Sequence, residues 1–270
     1  MRALDIAGTG MQAQQNNVET ISNNIANMST TGYKRSRAEF QDLIYQNMRR
    51  VGTASSDTGT IVPAGAQIGL GVKTAAIYRI NEQGTLEQTS NTLDFAVQGR
   101  GYFQVQLPSG QLAYTRDGTF SMANDGSLVT ADGYQISPTI TIPNNAQSVS
   151  VDQSGQVSVT IAGQNTSQIV GQLQLAIFTN ENGLAAMGQN FFTQTQASVD
   201  AMIGTPNTTG YGSTMQGYVE NSNVNVVTET TDLITAQRAY AMNIKVITSA
   251  DDMLHTLTNL GRLPCGRVGV

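Results

Sequence analysis

Charge is the scarcest property of this sequence. Only 12% of its 270 residues are Asp, Glu, Lys or Arg, about half of the roughly 25% usual in globular domains. Gln, Asn, Ser and Thr stand in for the missing charges. Such a surface repels copies of itself weakly, and amides and hydroxyls pair across a contact without the desolvation cost of an ion. The composition suits a chain that packs against itself, and equally an extracellular β protein. Concentrated positive charge is also missing: the net charge is −5, and the basic runs Lys34-Arg35-Ser36-Arg37 and Arg49-Arg50 are short. Nucleic acid is therefore excluded as a partner, because binding it requires a patch dense enough to displace counterions. The single cysteine, Cys265, rules out an internal disulfide and a cysteine-based metal site. No apolar run approaches the roughly 18 residues of a membrane span. Residues 1–13 contain Arg2 but no continuous apolar stretch. The expectation is a chain that is not inserted in a membrane and has no cleavable secretory signal.

Catalytic equipment is equally sparse. A serine or cysteine nucleophile would depend on the one histidine, His255, which falls beside Leu254 on a predicted helix, and no G-x-S-x-G elbow is present. Asp117, Asp125 and Asp132 each precede glycine, so a turn role already accounts for them. Asp152-Gln153-Ser154-Gly155 lacks the further acidic ligands of a calcium loop. Gly99-Arg100-Gly101 is too short for a nucleotide fingerprint. Tyr33, Phe40 and Tyr45 are expected to pack in a core. The expectation is no enzyme, no metal and no cofactor.

What the sequence does contain is a pair of helical seams. Leu4, Ala7, Met11, Gln14, Val18, Ile21, Ile25 and Met28 alternate by three and four residues, which on a helix makes one narrow stripe of the coiled-coil kind. Gly32, able to take positive φ, is expected to end this segment. Near the other terminus Val226, Leu233, Tyr240, Ile247 and Leu254 recur every seven residues, with Thr230, Gln237, Ile244, Asp251 and Thr258 assigned to the intermediate positions. Gly261 and Pro264 break that helix. The narrow stripes predict helices that pack side by side, within or between molecules. The competing reading is that both cover a β body, where a wider stripe is usual. Gly8, Gly10 and the asparagines at 16, 17, 23, 24 and 27 weaken the first helix. The termini are thus expected to order only on assembly.

Between the helices the pattern is β. Asp117-Gly118, Asp125-Gly126 and Asp132-Gly133 predict tight turns, and Ser154-Gly155 predicts a hairpin between Val149/Val151 and Val157/Val159/Ile161. Leu173, Leu175 and Ile177 alternate as on a half-buried strand. Residues 51–71 and 205–217, rich in glycine and small polar residues, read as loops. The expected fold class is α+β, with terminal helices paired as an inner domain and a mainly antiparallel β outer body. Its divisions are an N-terminal helix over 1–30, a linker and extended region over 31–90, a β-rich domain over 91–200, a return segment over 201–225, a C-terminal helix over 226–260 and a tail over 261–270.

Seven runs, in three groups along the chain, carry a family resemblance. Gly10-Met11-Gln12-Ala13-Gln14-Gln15, Ser22-Asn23-Asn24-Ile25-Ala26-Asn27 and Thr31-Gly32-Tyr33-Lys34-Arg35 resemble the N-terminal signature of flagellar rod and hook proteins. Gly217-Tyr218-Val219-Glu220-Asn221-Ser222-Asn223-Val224, followed by Leu233-Ile234-Thr235-Ala236-Gln237-Arg238-Ala239-Tyr240, resembles the C-terminal one. Asp94-Phe95-Ala96-Val97-Gln98-Gly99-Arg100-Gly101-Tyr102-Phe103 and Tyr114-Thr115-Arg116-Asp117-Gly118 resemble the start of the family's β domain. The stretch with Pro63, Gly65, Gln67, Gly69 and Gly71 is similar to one found in the family's distal-rod branch, where it goes with a straight, stiff rod.

This resemblance implies a structural subunit that polymerises with itself into a rigid helical tube. The tube would carry torque from motor to hook and enclose an export channel in the periplasm-spanning part of the basal body. It also implies proximal rod proteins, hook-side axial proteins and the outer ring or bushing proteins as partners. Delivery would be through the flagellar type III export apparatus. Phe40 and Ile44 resemble the element read by the export gate, and packing behind Gly32 is the alternative for both. The ten residues 261–270 continue past the family pattern. The competing functional readings are a proximal rod protein, a secreted β-domain adhesin with oligomerising helices, and a polysaccharide-acting enzyme.

Overall fold

The computed structural model describes residues 2–49, 65–161, 163 and 166–260. Two α-helices, a short 3-10 helix and a set of short strands make up the described residues. Helix α1 spans Arg2–Ala26 and α2 spans Val226–Leu260. Residues 261–270, with Gly261, Pro264 and Cys265, lie outside the described residues. The chain forms two compact units.

The first unit holds residues 1–25, 36–78 and 226–270. Its strands are β1 (Ser36–Asp42), β2 (Tyr45–Arg49), β3 (Ala66–Gly69) and β4 (Val72–Arg79). β1 pairs with β4, and β2 runs antiparallel to β3 with Tyr45 opposite Gly69. The Leu43 N–H donates to the Gly71 carbonyl at 2.8 Å and joins the two pairs into one ribbon. The glycine-rich stretch expected to be a loop is therefore a strand over residues 66–69. Gly69 allows this, because the Tyr45 ring lies 3.4 Å from where a β-carbon would stand, and an aromatic ring over a strand glycine covers its bare backbone.

The second unit holds residues 26–35 and 79–225. Its main sheet has nine strands, all paired antiparallel. The strand Tyr102–Gln106 is its hub, contacting Leu112–Thr115 on one side and both Gln135–Ile136 and Leu175–Ile177 on the other. A three-stranded sheet, 146–151, 156–161 and 168–172, supplies the second wall. Phe95, Phe103, Phe120, Leu128, Leu173 and Leu175 fill the largest apolar cluster.

The turns divide by chemistry. Asp125-Gly126 and Asp132-Gly133 link antiparallel neighbours, as does Ser154-Gly155. Asp117-Gly118, expected as a tight turn, does not join two paired strands. Asp117 Oδ1 instead accepts from the Thr119 N–H and hydroxyl, and a β-carbon on Gly118 would stand 1.6 Å from the Phe95 carbonyl oxygen. Gly118 is a close-approach residue, and that demand is invisible locally. Two further expectations need correcting. Leu175 and Ala176 are both buried, one in each of two apolar clusters, so this strand is covered on both faces. Residues 213–216, expected in a loop, form a strand paired with Phe95–Gln98. That pairing spans more than a hundred residues of chain and leaves no local periodicity.

Candidate functional site

The quoted sequence runs converge on a buried charge junction in the second unit. Lys34 Nζ donates to Glu220 Oε1 at 2.5 Å, and Arg116 Nε donates to Oε2 at 2.6 Å. All three side chains are buried. The Gly84 N–H donates to Oε1 at 2.9 Å, and the Glu220 carbonyl accepts the Gly32 N–H at 2.7 Å. Gly32 was expected to end the first helix, but α1 ends at Ala26. Gly32 has φ +69°, and a β-carbon there would stand 2.9 Å from the Arg116 carbonyl carbon; only glycine gives both the conformation and the space. The other Arg116 nitrogens donate to the carbonyls of Val97, Gly99 and Gly101. The Gly99-Arg100-Gly101 turn is thus a seat for a guanidinium.

Two cations share one carboxylate here. Burial alone would lift the Glu220 carboxyl, but Arg116 and Lys34 reverse this and hold it below its ordinary value. Lys34 is pushed down, chiefly by desolvation, although Glu220 opposes the shift. A buried carboxylate answered by two cations and a backbone N–H is a staple between residues far apart in the chain. A neighbouring cavity of about 280 Å³ is lined by Lys34 and Arg116 together with Arg100, Tyr102 and Glu181. Arg100 and Tyr102 both donate to Glu181.

In the first unit the helices approach each other at Asn24 and Glu229 and at Gly10 and Asn243. Asn24 Nδ2 lies 3.1 Å from Glu229 Oε2, and a β-carbon on Gly10 would stand 2.9 Å from Asn243 Nδ2. Residues 10 and 24 are fourteen apart, as are 229 and 243, and the order reverses. The two segments therefore run antiparallel in one register. Along α2, Glu229, Ala236 and Ala250 are buried, and Leu233, Tyr240, Asn243, Ile247 and Leu254 are half-buried. The intermediate positions assigned from sequence, Thr230, Gln237, Ile244 and Asp251, are exposed. Seven-residue recurrence fixes the first seam position but leaves the second at +3 or +4. The buried or half-buried residues Glu229, Ala236, Asn243 and Ala250 stand at +3. On α1, Ala7 and Ile21 are buried and Leu4, Met11, Gln14, Val18 and Ile25 are half-buried, whereas Met28 lies beyond the helix and is exposed.

Asn16 and Asn24 of α1 have defined partners. Asn24 donates to the Ser36 carbonyl and accepts its N–H, both at 2.8 Å. Asn16 donates to Thr74 on β4 at 2.9 Å, and the Val72 N–H donates to Thr9 at 3.3 Å. A second, polar face of α1 thus clasps the ribbon, a role that amphipathic pattern-matching cannot register. Asn223 does the same elsewhere, accepting from the Arg35 N–H and donating to the Ile80 carbonyl.

Phe40 lies on β1 and is 37% exposed, and Ile44, between β1 and β2, is 81% exposed. Neither Ile44 nor Tyr45 enters a core. Gly65, Gln67, Gly69 and Gly71 lie on or beside β3 and β4, and Pro63 is outside the described residues. His255 is exposed on α2. Among the described residues, no group of three or more His, Cys, Asp or Glu side chains is placed to hold a metal ion. No described helix is long and apolar enough to cross a membrane.

Comparison with known proteins gives matches at both ends and in the middle of the chain. Residues 4–34 match the family "Flagella basal body rod protein". Residues 96–159 match "Flagellar hook protein FlgE/F/G D1 domain", and residues 215–260 match "Flagellar basal body rod FlgEFG protein C-terminal". The flagellar basal-body rod protein FlgG of Caulobacter vibrioides is 55% identical over 96% of this chain and 99% of its own. The corresponding protein of Agrobacterium fabrum is 52% identical over 94% and 97%, and that of Buchnera aphidicola 48% over 96% and 99%.

Proposed function

The chain belongs to the FlgG family of flagellar basal-body rod proteins, and we propose that it polymerises into a stiff helical tube carrying torque from motor to hook. It is a structural subunit of the distal rod in the flagellar basal body, not an enzyme. The observation that carries the assignment is identity of 55% sustained over 99% of a FlgG protein. The proximal-rod, adhesin and polysaccharide-enzyme readings have no comparable support.

In this reading α1 and α2 pair as a coiled-coil-like element lining the tube around the export channel, and the β body faces outward. The antiparallel contacts at Asn24–Glu229 and Gly10–Asn243 favour it. The terminal helices are weak alone and order fully when neighbouring copies cover them. The ribbon carrying Gly65, Gln67, Gly69 and Gly71 stiffens the rod. The exposure of Phe40 and Ile44 favours recognition by the type III export apparatus over packing behind Gly32. Axial neighbours are proximal rod and hook-side proteins, and the outer ring or bushing proteins surround the tube.

Electron cryo-microscopy of the purified, polymerised chain tests the central reading. The expected result is a helical tube with a central channel; a closed trimer contradicts it. Replacing Phe40 with Ala is expected to lower secretion of the chain before any assembly. Unchanged secretion removes the export role.

A further inference from the structure

We infer that the cavity beside the charge junction is a binding site for a carboxylate. Its lining residues all belong to the second unit, and the rod reading gives the cavity no role.

The lining is out of charge balance. Lys34, Arg116 and Arg100 bring three cations to it. Glu220 answers the first two and Glu181 the third. Three cations against two carboxylates leave one positive charge at the cavity. Lys34 and Arg116 are only 4% and 6% exposed, so solvent screens that charge weakly.

Donors are left over as well. An ammonium carries three protons, and Lys34 commits two, to the Glu82 carbonyl and to Glu220. Arg100 directs Nε and Nη2 at Glu181, and Nη2 also at the Phe178 carbonyl. Its Nη1 enters none of these bonds. A cavity with unanswered positive charge and uncommitted cationic donors has the chemistry of an anion site.

The anion that fits best is a single carboxylate. Its two oxygens lie in one plane, which suits an ammonium on one side and a guanidinium edge on the other. Glu181 shows how this cavity holds such a group: Arg100 donates to Oε1 at 3.1 Å and the Tyr102 hydroxyl to Oε2 at 3.3 Å. The Glu181 charge also repels a dianion, which places phosphate below a carboxylate. A volume of about 280 Å³ stands at the small end of ligand sites and takes a group the size of a side chain. An anion there further offsets the desolvation that disfavours the Lys34 ammonium. Two sources share this chemistry: a free small carboxylate, and the aspartate or glutamate side chain of a partner protein.

The test follows the Gly99 and Gly101 amide resonances of the full chain, dilute and unassembled, during titration. Its failure therefore leaves the rod assignment untouched. The probes are propionate, the α-amide of N-acetylglutamate, and the neutral N-acetylglutamine amide. Saturable shifts with a carboxylate and none with the neutral amide are the expected result. A tighter Kd for the capped glutamate than for propionate assigns the site to a partner's side chain, and the reverse order assigns it to a free carboxylate. No saturable shift with either carboxylate overturns the inference, as does equal binding of the neutral amide or tighter binding of inorganic phosphate. Arg100→Gln is expected to weaken binding at least tenfold, and an unchanged Kd overturns the site. Where Arg100→Gln does not fold, Glu181→Gln decides. It removes the competing charge and frees Arg100, so Kd is expected to fall at least threefold; a Kd that rises overturns the proposal.

Discussion

Glu220 is one carboxylate serving two buried cations, and its removal leaves Lys34 and Arg116 facing each other without an anion. Breaking a buried pair in this way costs about 3–5 kcal/mol, and that is the loss expected for Glu220→Gln. Lys34→Met is expected to cost less. It leaves Glu220 with Arg116 and removes an ammonium that burial already disfavours. Thermal denaturation followed by near-UV circular dichroism checks the order, and a Lys34→Met chain melting below Glu220→Gln contradicts it. The acid dependence has a definite sign. The folded chain holds the Glu220 carboxyl below its ordinary value, so the unfolded chain takes up the proton first as pH falls. The stabilisation is complete above the unfolded value, about 4.3, and is lost as pH drops through the folded one. The gap between the parent and Glu220→Gln is therefore expected to narrow below about pH 4. Asn24 is the second residue with large leverage. Asn24→Ala loses two bonds to the Ser36 main chain and one to Glu229; at about 1 kcal/mol each, the expected cost is about 2–3 kcal/mol. Asn24→Asp is expected to be worse, because it keeps only the acceptor and sets a second carboxylate against Glu229. Hydrogen exchange across residues 2–26 is the readout.

At the scale of elements, α1 carries two glycines with opposite surroundings. A β-carbon on Gly8 meets nothing within 4 Å, whereas one on Gly10 meets the Asn243 amide. Gly8→Ala is expected to stabilise the helix by about 0.5–1 kcal/mol. Gly10→Ala is expected to gain less, because the Asn243 side chain must swing aside, and Gly10→Leu to force the helices apart. Far-UV circular dichroism of the three variants separates these outcomes.

The same helix marks how much could be read in advance. Its existence follows from the three-four spacing of Leu4 through Ile25, and α2 from the sevenfold recurrence of Val226 through Leu254. The helix-weakening asparagines were legible only as a defect, because their partners at Ser36 and Thr74 lie on strands that no helical period encodes. The hairpins at Asp125-Gly126 and Asp132-Gly133 follow from local turn chemistry. Gly118 and the strand over residues 213–216 do not, since both answer to Phe95 or its neighbours from a distance. The junction was half legible: Lys34, Arg116 and Glu220 each stood in a quoted run, but only the fold brings them within 2.6 Å.

At the scale of the whole molecule, the two units draw on the chain differently. Among the described residues, the apolar core clusters and the charge junction lie within residues 34–220. Helix α1, by contrast, depends on contacts with Glu229 and Asn243, near the other end of the chain. Asparagine-rich helices persist mainly through packing, so losing α2 removes a reason for α1 to remain helical while leaving the β body its own core. A chain ending at Asn225 is expected to keep the near-UV signal and cooperative melting of the β body, to lose helical signal beyond that of α2 itself, and to form no polymer. Circular dichroism and sedimentation of the truncated chain measure all three. A truncated chain that keeps full protection of residues 2–26 against hydrogen exchange would show that α1 stands on its ribbon contacts, at Thr9, Asn16 and Asn24, without its partner helix. Loss of the β-body signal would mean that the junction around Glu220 does not close until α2 is present. With the core intact and α1 unprotected, the rod subunit is a stable β body whose ends become helical by pairing, and assembly acts on the part of the chain that folding alone holds least firmly.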